Sequence, residues 1–403
     1  MTNRRLHIAL LTDGVMPFVI GGIQRHSRKL CEQLLRLGVD VTLYHTAPAG
    51  EVAERALRLE GWDPFLRGQL RSEFVDWPRG VWYPGHYIGD CGSYSRSLLA
   101  RFLDRQSVDP ADFVYAQGLT GLAFVQGRRQ GLALPPVGVN AHGYEMFQRC
   151  MGLGARLGQV LMRPPHRKVT LQADLVFSFS GRIREIVDKT IGVPPDRVRV
   201  IPNAVDVSWV APSARPSGRP RKFVFVGRHE RRKGVPELNE ALRGLDGCDW
   251  AMDFVGPIPE EKRLLDPRIR YLGVVREESD LIRIYDQCDS IVVPSFAEGM
   301  PTVLIEAMAR GLVPIATDVG AVREPVAAAQ GIVLASPSPQ LIRSAMRSVA
   351  LMSDDELVAR KSAALAASRQ FTWEQVAPQV VHAIEDAIRR SGSISDPSSA
   401  TGF

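Results

Sequence analysis

The feature that most constrains the fold of this chain is its opening alternation of strand, helix and strand. A buried strand is predicted over residues 6–12, and a loop that contains Gly21 and Gly22 follows it. Apolar periodicity then predicts an amphipathic helix over residues 24–37, with a second buried strand at 39–44 directly after it. Because parallel strands need a long crossover connection, usually a helix, this order predicts a βαβ unit.

The same alternation continues through the rest of the chain. Further buried strands are predicted at 113–116, 137–140, 175–178 and 198–201. After a stretch rich in Pro and Ser at 205–222, the pattern starts again, with strands at 223–226, 252–255, 269–272, 290–293 and 313–316. Strands that alternate with helices indicate parallel, doubly wound α/β sheets, and 403 residues suit two domains of about 100–200 residues each.

We therefore divide the chain into four parts. Residues 1–207 are predicted to form one Rossmann-like domain, and residues 208–372 a second one. Residues 373–390 are predicted to form a helix that packs back on the first domain. Residues 391–403 are small and polar, which favours a disordered tail.

Composition limits the classes of partner. The formal charge of +6 and the isoelectric point near 9.2 indicate attraction to an anion, such as nucleic acid, an acidic membrane surface or a phosphorylated small molecule. No stretch approaches 18 uninterrupted apolar residues, so no membrane-spanning helix is predicted. The five cysteines are scattered and form no C-x-x-C pair, which favours reduced thiols in the cytoplasm.

The most informative stretch, residues 294–311, is predicted to run from a strand through a loop into a helix. Pro301 suits the first helical position, and Gly311 suits the residue after the last turn. One apolar face of this helix is predicted to consist of Val303, Leu304, Ala307 and Met308. With Gly299 ahead of them, the unpaired amides of the first turn can hold an anion.

Two carboxylates mark the same stretch. Glu298 lies in the loop and Glu306 lies eight residues later inside the helix. A carboxylate accepts hydrogen bonds from two neighbouring hydroxyls, so the pair can bind a ribose and a hexose of one ligand. For an isolated pair of Glu residues, simple capping or solvation of the helix is the alternative.

A basic loop follows the predicted strand at 223–226. Arg228 and Lys233 leave the carboxyl end of this strand, where ligands of open α/β sheets bind. A guanidinium and an ammonium group together suit a diphosphate that gains negative charge as it leaves. A solvated basic loop is the alternative, although the loop with Glu298 is expected at the same edge of the same sheet.

One set of motifs in this chain resembles the donor-site signature of retaining glycosyltransferase family four. The set consists of Gly227-Arg228, Lys233-Gly234, Glu298-Gly299-Met300-Pro301 and Glu306-Ala307-Met308-Ala309. The resemblance covers nearly the whole chain and implies a GT-B fold, with two Rossmann-like domains facing across a cleft. It implies transfer of a hexose-type sugar from a nucleotide diphosphate sugar to a saccharide, lipid-linked or small-molecule acceptor, with UDP as the first choice of nucleotide and GDP as the second. It also implies no metal and no cofactor, and the sequence contains no Asp-x-Asp motif.

The resemblance also implies roles for individual residues. Arg228 and Lys233 would contact the diphosphate, Glu306 the ribose and Glu298 the transferred sugar. The leaving diphosphate would itself help to take the acceptor proton in a front-face substitution. The remaining contacts to the nucleotide sugar would come from the backbone. Amides at Gly299, Met300, Pro301 and Thr302 would support the sugar and phosphate, and the backbone at Val274 would hold the base.

The first domain is expected to supply the acceptor side. Gly21 and Gly22 would let backbone approach the donor phosphate without an intervening side chain. His142 follows a predicted strand and, by resemblance, points into the cleft near the donor sugar, while Glu145 is a weaker candidate for acceptor contact. An ordinary structural histidine is the alternative for His142.

Residues 146–168 mix apolar residues with five cations. This pattern fits a helix that lies on an anionic membrane surface, where lipid-linked acceptors are found. It fits equally an ordinary helix with its apolar face in the core, and three glycines weaken either helix.

Three other classes of protein were weighed. A sugar-nucleotide 2-epimerase or a phosphorylase would share the architecture, but a phosphorylase would usually be longer. A nicotinamide-dependent oxidoreductase is disfavoured because neither domain has G-x-G-x-x-G after its first strand. A non-catalytic sugar- or nucleic-acid-binding protein is favoured only by the basic charge.

Overall fold

The structure is a computed structural model that describes residues 4–16, 21–46, 62–78, 86–149 and 152–394. Two sheets organise it. The strands of the first sheet are β1 (His7–Leu11), β2 (Asp40–His45), β3 (Arg71–Phe74), β4 (Phe113–Gln117), β5 (Val137–Asn140), β6 (Leu175–Ser178) and β7 (Val198–Val200). The strands of the second are β8 (Arg221–Val226), β9 (Trp250–Val255), β10 (Ile269–Gly273), β11 (Ser290–Val293), β12 (Val313–Thr317) and β13 (Ile332–Leu334).

Helices connect the strands of both sheets. Those of the first half are α1 (Gly22–Arg36), α2 (Pro64–Arg67), α3 (His86–Gln106), α4 (Leu122–Arg129), α5 (Leu153–Gln172) and α6 (Gly181–Glu185), the last continuing as a π-helical segment over Ile186–Ile191. Those of the second half are α7 (Val235–Arg243), α8 (Glu278–Tyr285), α9 (Thr302–Ala309), α10 (Arg323–Ala328), α11 (Pro339–Leu351), α12 (Asp354–Ser368) and α13 (Trp373–Ile394).

Both sheets have doubly wound order. The order is β3-β2-β1-β4-β5-β6-β7 in the first and β10-β9-β8-β11-β12-β13 in the second, with parallel pairing throughout. The strand order reverses between β1 and β4 and between β8 and β11. Ligands of open α/β sheets bind outside the carboxyl ends of strands at such reversals. The loops that carry Gly22, Arg228 and Glu298 all leave these strands, so the topology alone brings the predicted site residues toward two sheet edges.

The sequence analysis missed two strands, β3 and β13. Each lies at the end of its sheet and is only partly buried. β3 is mostly polar and β13 is only three residues long, so neither shows the longer apolar run that marks a strand covered on both faces. The predicted strands that do form differ from the observed ones by at most two residues at either end.

Helix α13 ends the chain against the first sheet's half of the molecule. Its buried residues Trp373, Val376, Val380 and Ile384 share one apolar cluster with the residues of β1 and α1. The chain returns there beside the interdomain connection, where the amide of Val205 donates to the carbonyl of Phe371 at 2.9 Å. The predicted tail begins too early, because α13 continues through residues 391–394. The rest of that tail, residues 395–403, lies outside the described residues.

Candidate active site

Helix α9 carries one of the two marked carboxylates. Gly311 has a φ of 78° and follows the helix, as predicted, because only glycine adopts this left-handed conformation without strain. Pro301 is the residue before the helix, not its first residue. The prediction of a single apolar face was also wrong, because α9 is buried on almost every side. Its buried residues are Leu304, Ile305, Glu306, Ala307, Met308 and Ala309.

Glu298 is a buried carboxylate held by cations. Oε1 lies 2.6 Å from Nζ of Lys233 and accepts a hydrogen bond from Oγ of Ser295 at 2.7 Å. Oε2 lies 3.4 Å from Nη1 of Arg232. Burial alone would raise the pKa of Glu298, but the charges of Lys233 and Arg232 lower it below its usual value. Glu298 is therefore ionised at neutral pH, and the prediction that the two loops meet at one sheet edge is confirmed.

Arg228 does not join this group. Its side chain is 68% exposed, and its Nε contacts Oε1 of Glu230 at 3.0 Å. The structure thus places Lys233, but not Arg228, directly against Glu298. Arg232, which the sequence analysis did not single out, takes the nearer position because the short helical turn Arg231–Lys233 directs consecutive cations to different sides.

Glu306 lies in a separate environment on the same element. One oxygen is 3.4 Å from Nη1 of Arg25 on α1, and the other is 3.5 Å from the hydroxyl of Tyr285. Burial raises the pKa of Glu306 to about 7; Arg25 opposes this rise, and the charge of Glu278 adds to it. Two carboxylates of one loop and helix therefore differ in charge, since only Glu298 has close cationic partners on two sides. Glu306 lies inside the helix, as predicted.

Gly299 is one of the points at which the two halves touch. A Cβ on Gly299 would lie 2.0 Å from the backbone carbonyl oxygen of His142, so no larger residue fits without moving one half. The side-chain amide of Gln148 strengthens this contact, because its Nε2 donates to the carbonyls of Gly143 and Glu298, both at 2.6 Å. Gln148 lacked any signal in the sequence that would mark it as a bridge.

One of the four predicted backbone contacts after Glu298 differs from expectation. Pro301 has no amide hydrogen and cannot donate, although the sequence analysis counted it among the donors. Met300 is buried against the first half: its carbonyl accepts a hydrogen bond from Nδ2 of Asn203 at 2.6 Å. The amides of Gly299, Met300 and Thr302 remain as candidate donors.

His142 lies at the cleft in the left-handed region, with a φ of 58°. Its Nε2 is 2.5 Å from Oε1 of Gln117, so Nε2 donates and Nδ1 keeps a lone pair. The His26 ring on α1 packs edge-on to it at 4.8 Å between centroids. Burial and this neighbour lower the pKa of His142 well below its ordinary value, so the ring is neutral. His26, not found from the sequence, lies one helical turn after Gly22, which is the signal that would have pointed to it.

The glycines of α1 leave an open approach. Helix α1 starts at Gly22, with Gly21 as its N-cap, and has no acidic residue in its first turn. A Cβ on Gly22 would meet nothing within 4 Å. Residues 17–20 of the preceding loop lie outside the described residues. Val274 follows β10 and is 61% exposed, so the backbone there is open to a ligand.

A cation of one half also reaches a carboxylate of the other. Arg232 Nη1 lies 3.4 Å from Oε1 of Glu145, as well as 3.4 Å from Glu298. Burial opposes the charge of Arg232, but its three carboxylate neighbours raise its pKa overall. Glu145 therefore contacts the same cation as Glu298, and its expected role as an acceptor contact stays a prediction.

The chain resembles known proteins over most of its length. The sequence model described as Glycosyltransferase Family 4 matches residues 20–209, and the one described as Glycosyl transferases group 1 matches residues 220–351. Glycogen synthase of Mycobacterium tuberculosis is 24% identical over 92% of each chain. The GDP-mannose:cellobiosyl-diphosphopolyprenol alpha-mannosyltransferase of Xanthomonas campestris is 25% identical over 67% of this chain and 73% of its own.

Among solved structures, sucrose-phosphate synthase from Thermosynechococcus elongatus superposes with a TM-score of 0.76 at 19% identity, over 97% of this chain and 100% of the other. This likeness confirms the expected GT-B fold. The two sequence models follow each other along the chain and divide between its two sheets, and the relatives that match are glycosyltransferases. The chain therefore belongs to the family of group 1, or family 4, glycosyltransferases, and it is a glycosyltransferase enzyme.

Proposed function

We propose that this enzyme moves a hexose-type sugar, with retention of configuration, from a nucleotide diphosphate sugar onto an acceptor hydroxyl. The observation that carries the proposal is the buried, ionised Glu298, which is held by Lys233 and precedes Gly299, the residue that contacts the backbone of His142. An ionised carboxylate accepts hydrogen bonds from sugar hydroxyls. Glu298 is engaged by Lys233, Ser295 and Arg232, and this engagement disfavours its use as a nucleophile.

The donor roles follow from this placement. The side chain of Lys233 and the exposed side chain of Arg228 neutralise the diphosphate. Amides at the start of α1 add the positive end of a helix dipole. Glu306 binds the ribose hydroxyls in place of its present contact with Arg25. Val274 holds the base through its exposed backbone. The acceptor oxygen forms a bond to the anomeric carbon as the bond to the diphosphate breaks, and the proton passes to the leaving diphosphate.

The charge for this chemistry comes from the protein, so we propose that transfer needs neither a metal ion nor a resident cofactor. Arg228, Lys233 and the first turn of α1 supply positive charge at the two sheet edges where the strand order reverses. Removal of metal ions with EDTA tests this part separately.

The nucleotide is proposed as UDP first and GDP second. The family resemblance favours uridine, and the name of the Xanthomonas relative favours guanosine. A thermal-shift screen of UDP, GDP, ADP and their sugars tests the choice. A nucleotide at a hundred times its Kd stabilises by about 2.7 kcal/mol, so a true ligand raises Tm clearly. The absence of a shift with every nucleotide would contradict the proposal. Conversion of a nucleotide sugar to its C2 epimer without acceptor would establish an epimerase instead.

For the acceptor side, we propose that helix α5 lies on an anionic membrane and that the acceptor is lipid-linked. The side chains of Leu157, Val160 and Leu161 are exposed on one side of this helix, and Leu157 is 64% exposed. The helix carries no acidic residue, and its exposed cations are Arg156, Arg163, Arg167 and Lys168. An exposed apolar strip with flanking cations suits an anionic bilayer surface.

The position of α5 supports the same proposal. Gln159 on this helix donates from Nε2 to the carbonyl of Glu145 at 2.8 Å, and Arg163 donates to the carbonyl of Met146, also at 2.8 Å. These carbonyls belong to the segment that contacts the loop of Glu298. A membrane-bound acceptor would therefore enter the cleft close to the surface. No helix in the described ranges is long and apolar enough to cross a bilayer.

Sedimentation with vesicles tests this surface. Wild-type protein is expected to bind vesicles that contain phosphatidylglycerol at low salt and to be released by high salt. Leu157→Ser with Leu161→Ser is expected to lose most of this binding, whereas Leu265→Ser, at a leucine that is 96% exposed in the second half, should keep it. Equal binding of all three proteins, or none by the wild type, would overturn the membrane proposal.

The cysteines bear on which side of the membrane the protein lies. Cys31 and Cys288 are buried free thiols, and reduced cysteines fit the cytoplasmic face.

A further inference from the structure

A cavity lies between the two halves, beside the loop of Glu298. Its volume is about 370 Å³, and Phe147, Gln148 and Phe296 form the wall that it shares with that loop. Gln148 is the residue that donates to the carbonyl of Glu298, so the cavity and the carboxylate are separated by one loop. The opposite wall is α6 with its π-helical extension and the ends of β12 and β13. No role described so far uses this space.

The charged residues that line the cavity have an excess of cations. They are Arg149, Arg182 and Lys189, against two carboxylates, Glu185 and Asp318. Asp318 already contacts Arg323, outside the lining, as well as Arg182, and these bonds lower its pKa. Glu185 contacts Lys189 at 3.8 Å. Arg149 is exposed and forms no ion pair with any described residue, so its charge is available to an anion.

A buried hydroxyl in the same cavity lacks a partner. Thr317, at the carboxyl end of β12, is 1% exposed, and its Oγ1 has no hydrogen-bond partner among the described residues. A buried hydroxyl without a partner costs free energy, and most such groups in native proteins are paired. Thr317 lines the cavity, so a polar group bound there would satisfy it. The phenyl rings of Phe147 and Phe296 supply the apolar surface that the ring of a sugar packs on.

We infer that this cavity binds the acceptor, and that the acceptor is a saccharide that carries a phosphoryl group. The phosphoryl group would lie against Arg149 and Lys189, and a sugar hydroxyl would bond to Oγ1 of Thr317. This inference rests on the proposed transfer reaction, since it names the substrate that receives the sugar. The phosphoryl group can belong to a soluble sugar phosphate or to a lipid headgroup, and the chemistry of the cavity is the same for both.

Calorimetry tests whether a soluble sugar phosphate binds. The full-length protein is first saturated with the nucleotide that gives the largest thermal shift. Glucose 6-phosphate is expected to bind at least about tenfold more tightly than glucose, because charge-assisted hydrogen bonds are about twice as strong as neutral ones. Arg149→Ala with Lys189→Ala is expected to remove this preference, and Thr317→Val to weaken binding while Thr317→Ser restores it. Arg129→Ala, an exposed arginine on α4, is the matched control and should keep the preference.

Vesicles test the lipid form. Wild-type protein is expected to bind phosphatidylinositol vesicles more tightly than phosphatidylglycerol vesicles of the same charge. Thr317→Val is expected to lose this difference, because both lipids carry the same phosphodiester and only phosphatidylinositol offers ring hydroxyls to Thr317. Loss of discrimination in either the soluble or the vesicle measurement supports the cavity and identifies the source of the phosphate. Equal binding by wild type and variants in both measurements would overturn it. Nucleotide binding by the wild type is measured in the same samples. A protein that binds nucleotide but shows no preference would contradict the proposed acceptor site and leave the proposed transfer reaction standing.

Discussion

The ammonium nitrogen of Lys233 lies 2.6 Å from a carboxylate oxygen of Glu298, although the two residues lie in segments that follow different strands of the second sheet. The pair joins the proposed diphosphate cation to the proposed sugar ligand. Its existence follows from strand order, because β8 and β11 are neighbours where the order reverses.

Lys233→Ala is therefore expected to lower kcat by about 10² to 10³, since one electrostatic contact to the leaving group is lost. The variant also removes the nearest charge that keeps the pKa of Glu298 low. Release of nucleotide from the donor sugar measures the effect. Lys262→Ala, at an exposed lysine outside the site, is the control. Near-normal turnover by Lys233→Ala would show that the assigned role is wrong.

Gly299→Ala is expected to reduce activity by at least about tenfold while the protein stays folded. The added methyl group would lie 2.0 Å from the carbonyl of His142, so the two halves must move apart and misplace the reacting groups. Activity and small-angle scattering measure the two effects together. In Gly92→Ala the new methyl group, on helix α3, meets only the end of Arg96 at 3.7 Å, so this control should be neutral or stabilising. An active, closed Gly299→Ala protein would contradict the packing argument.

The pKa of Glu306 predicts a pH dependence of stability. Its carboxyl is raised from 4.5 to about 7 in the folded protein, so the folded state binds more protons between these values. Its contribution is then fully present below pH 4.5 and is lost as pH rises through about 7, by about 3 kcal/mol at about 1.4 kcal/mol per pKa unit. Tm measured across this range should fall for the wild type and fall less for Glu306→Gln. Glu261→Gln, at an exposed position, should follow the wild type; parallel curves for wild type and Glu306→Gln would refute the assignment.

Excess EDTA is expected to change the rate less than about twofold, because Lys233, Arg228 and the first turn of α1 supply the charge that a metal would otherwise provide. Transfer is measured before and after dialysis against the chelator, and again after Mg²⁺ or Mn²⁺ is restored. A tenfold loss that either ion reverses would contradict metal-independent transfer.

The sequence predicted most of the strands and the loops that carry the candidate site residues, because both depend on local patterns. Buried parallel strands show as apolar runs, and loops after them carry Lys233, Glu298 and Glu306 at fixed spacings. It could not predict Arg232 or Gln148, because Arg232 contacts Glu145 of the first half and Gln148 contacts the carbonyl of Glu298, 150 residues further along the chain. It also could not decide whether the apolar residues of α5 face the core, since periodicity marks a face but not what covers it.

The anomer formed when water accepts the sugar tests the central claim most directly. The nucleotide sugar selected by thermal shift, with an α linkage, is incubated with the enzyme, and the released sugar is followed by proton NMR before its anomers equilibrate. Retention predicts that the α anomer appears first, and that the signal is lost in Lys233→Ala and Glu298→Gln. First appearance of the β anomer would contradict a retaining transferase, whatever the acceptor proves to be.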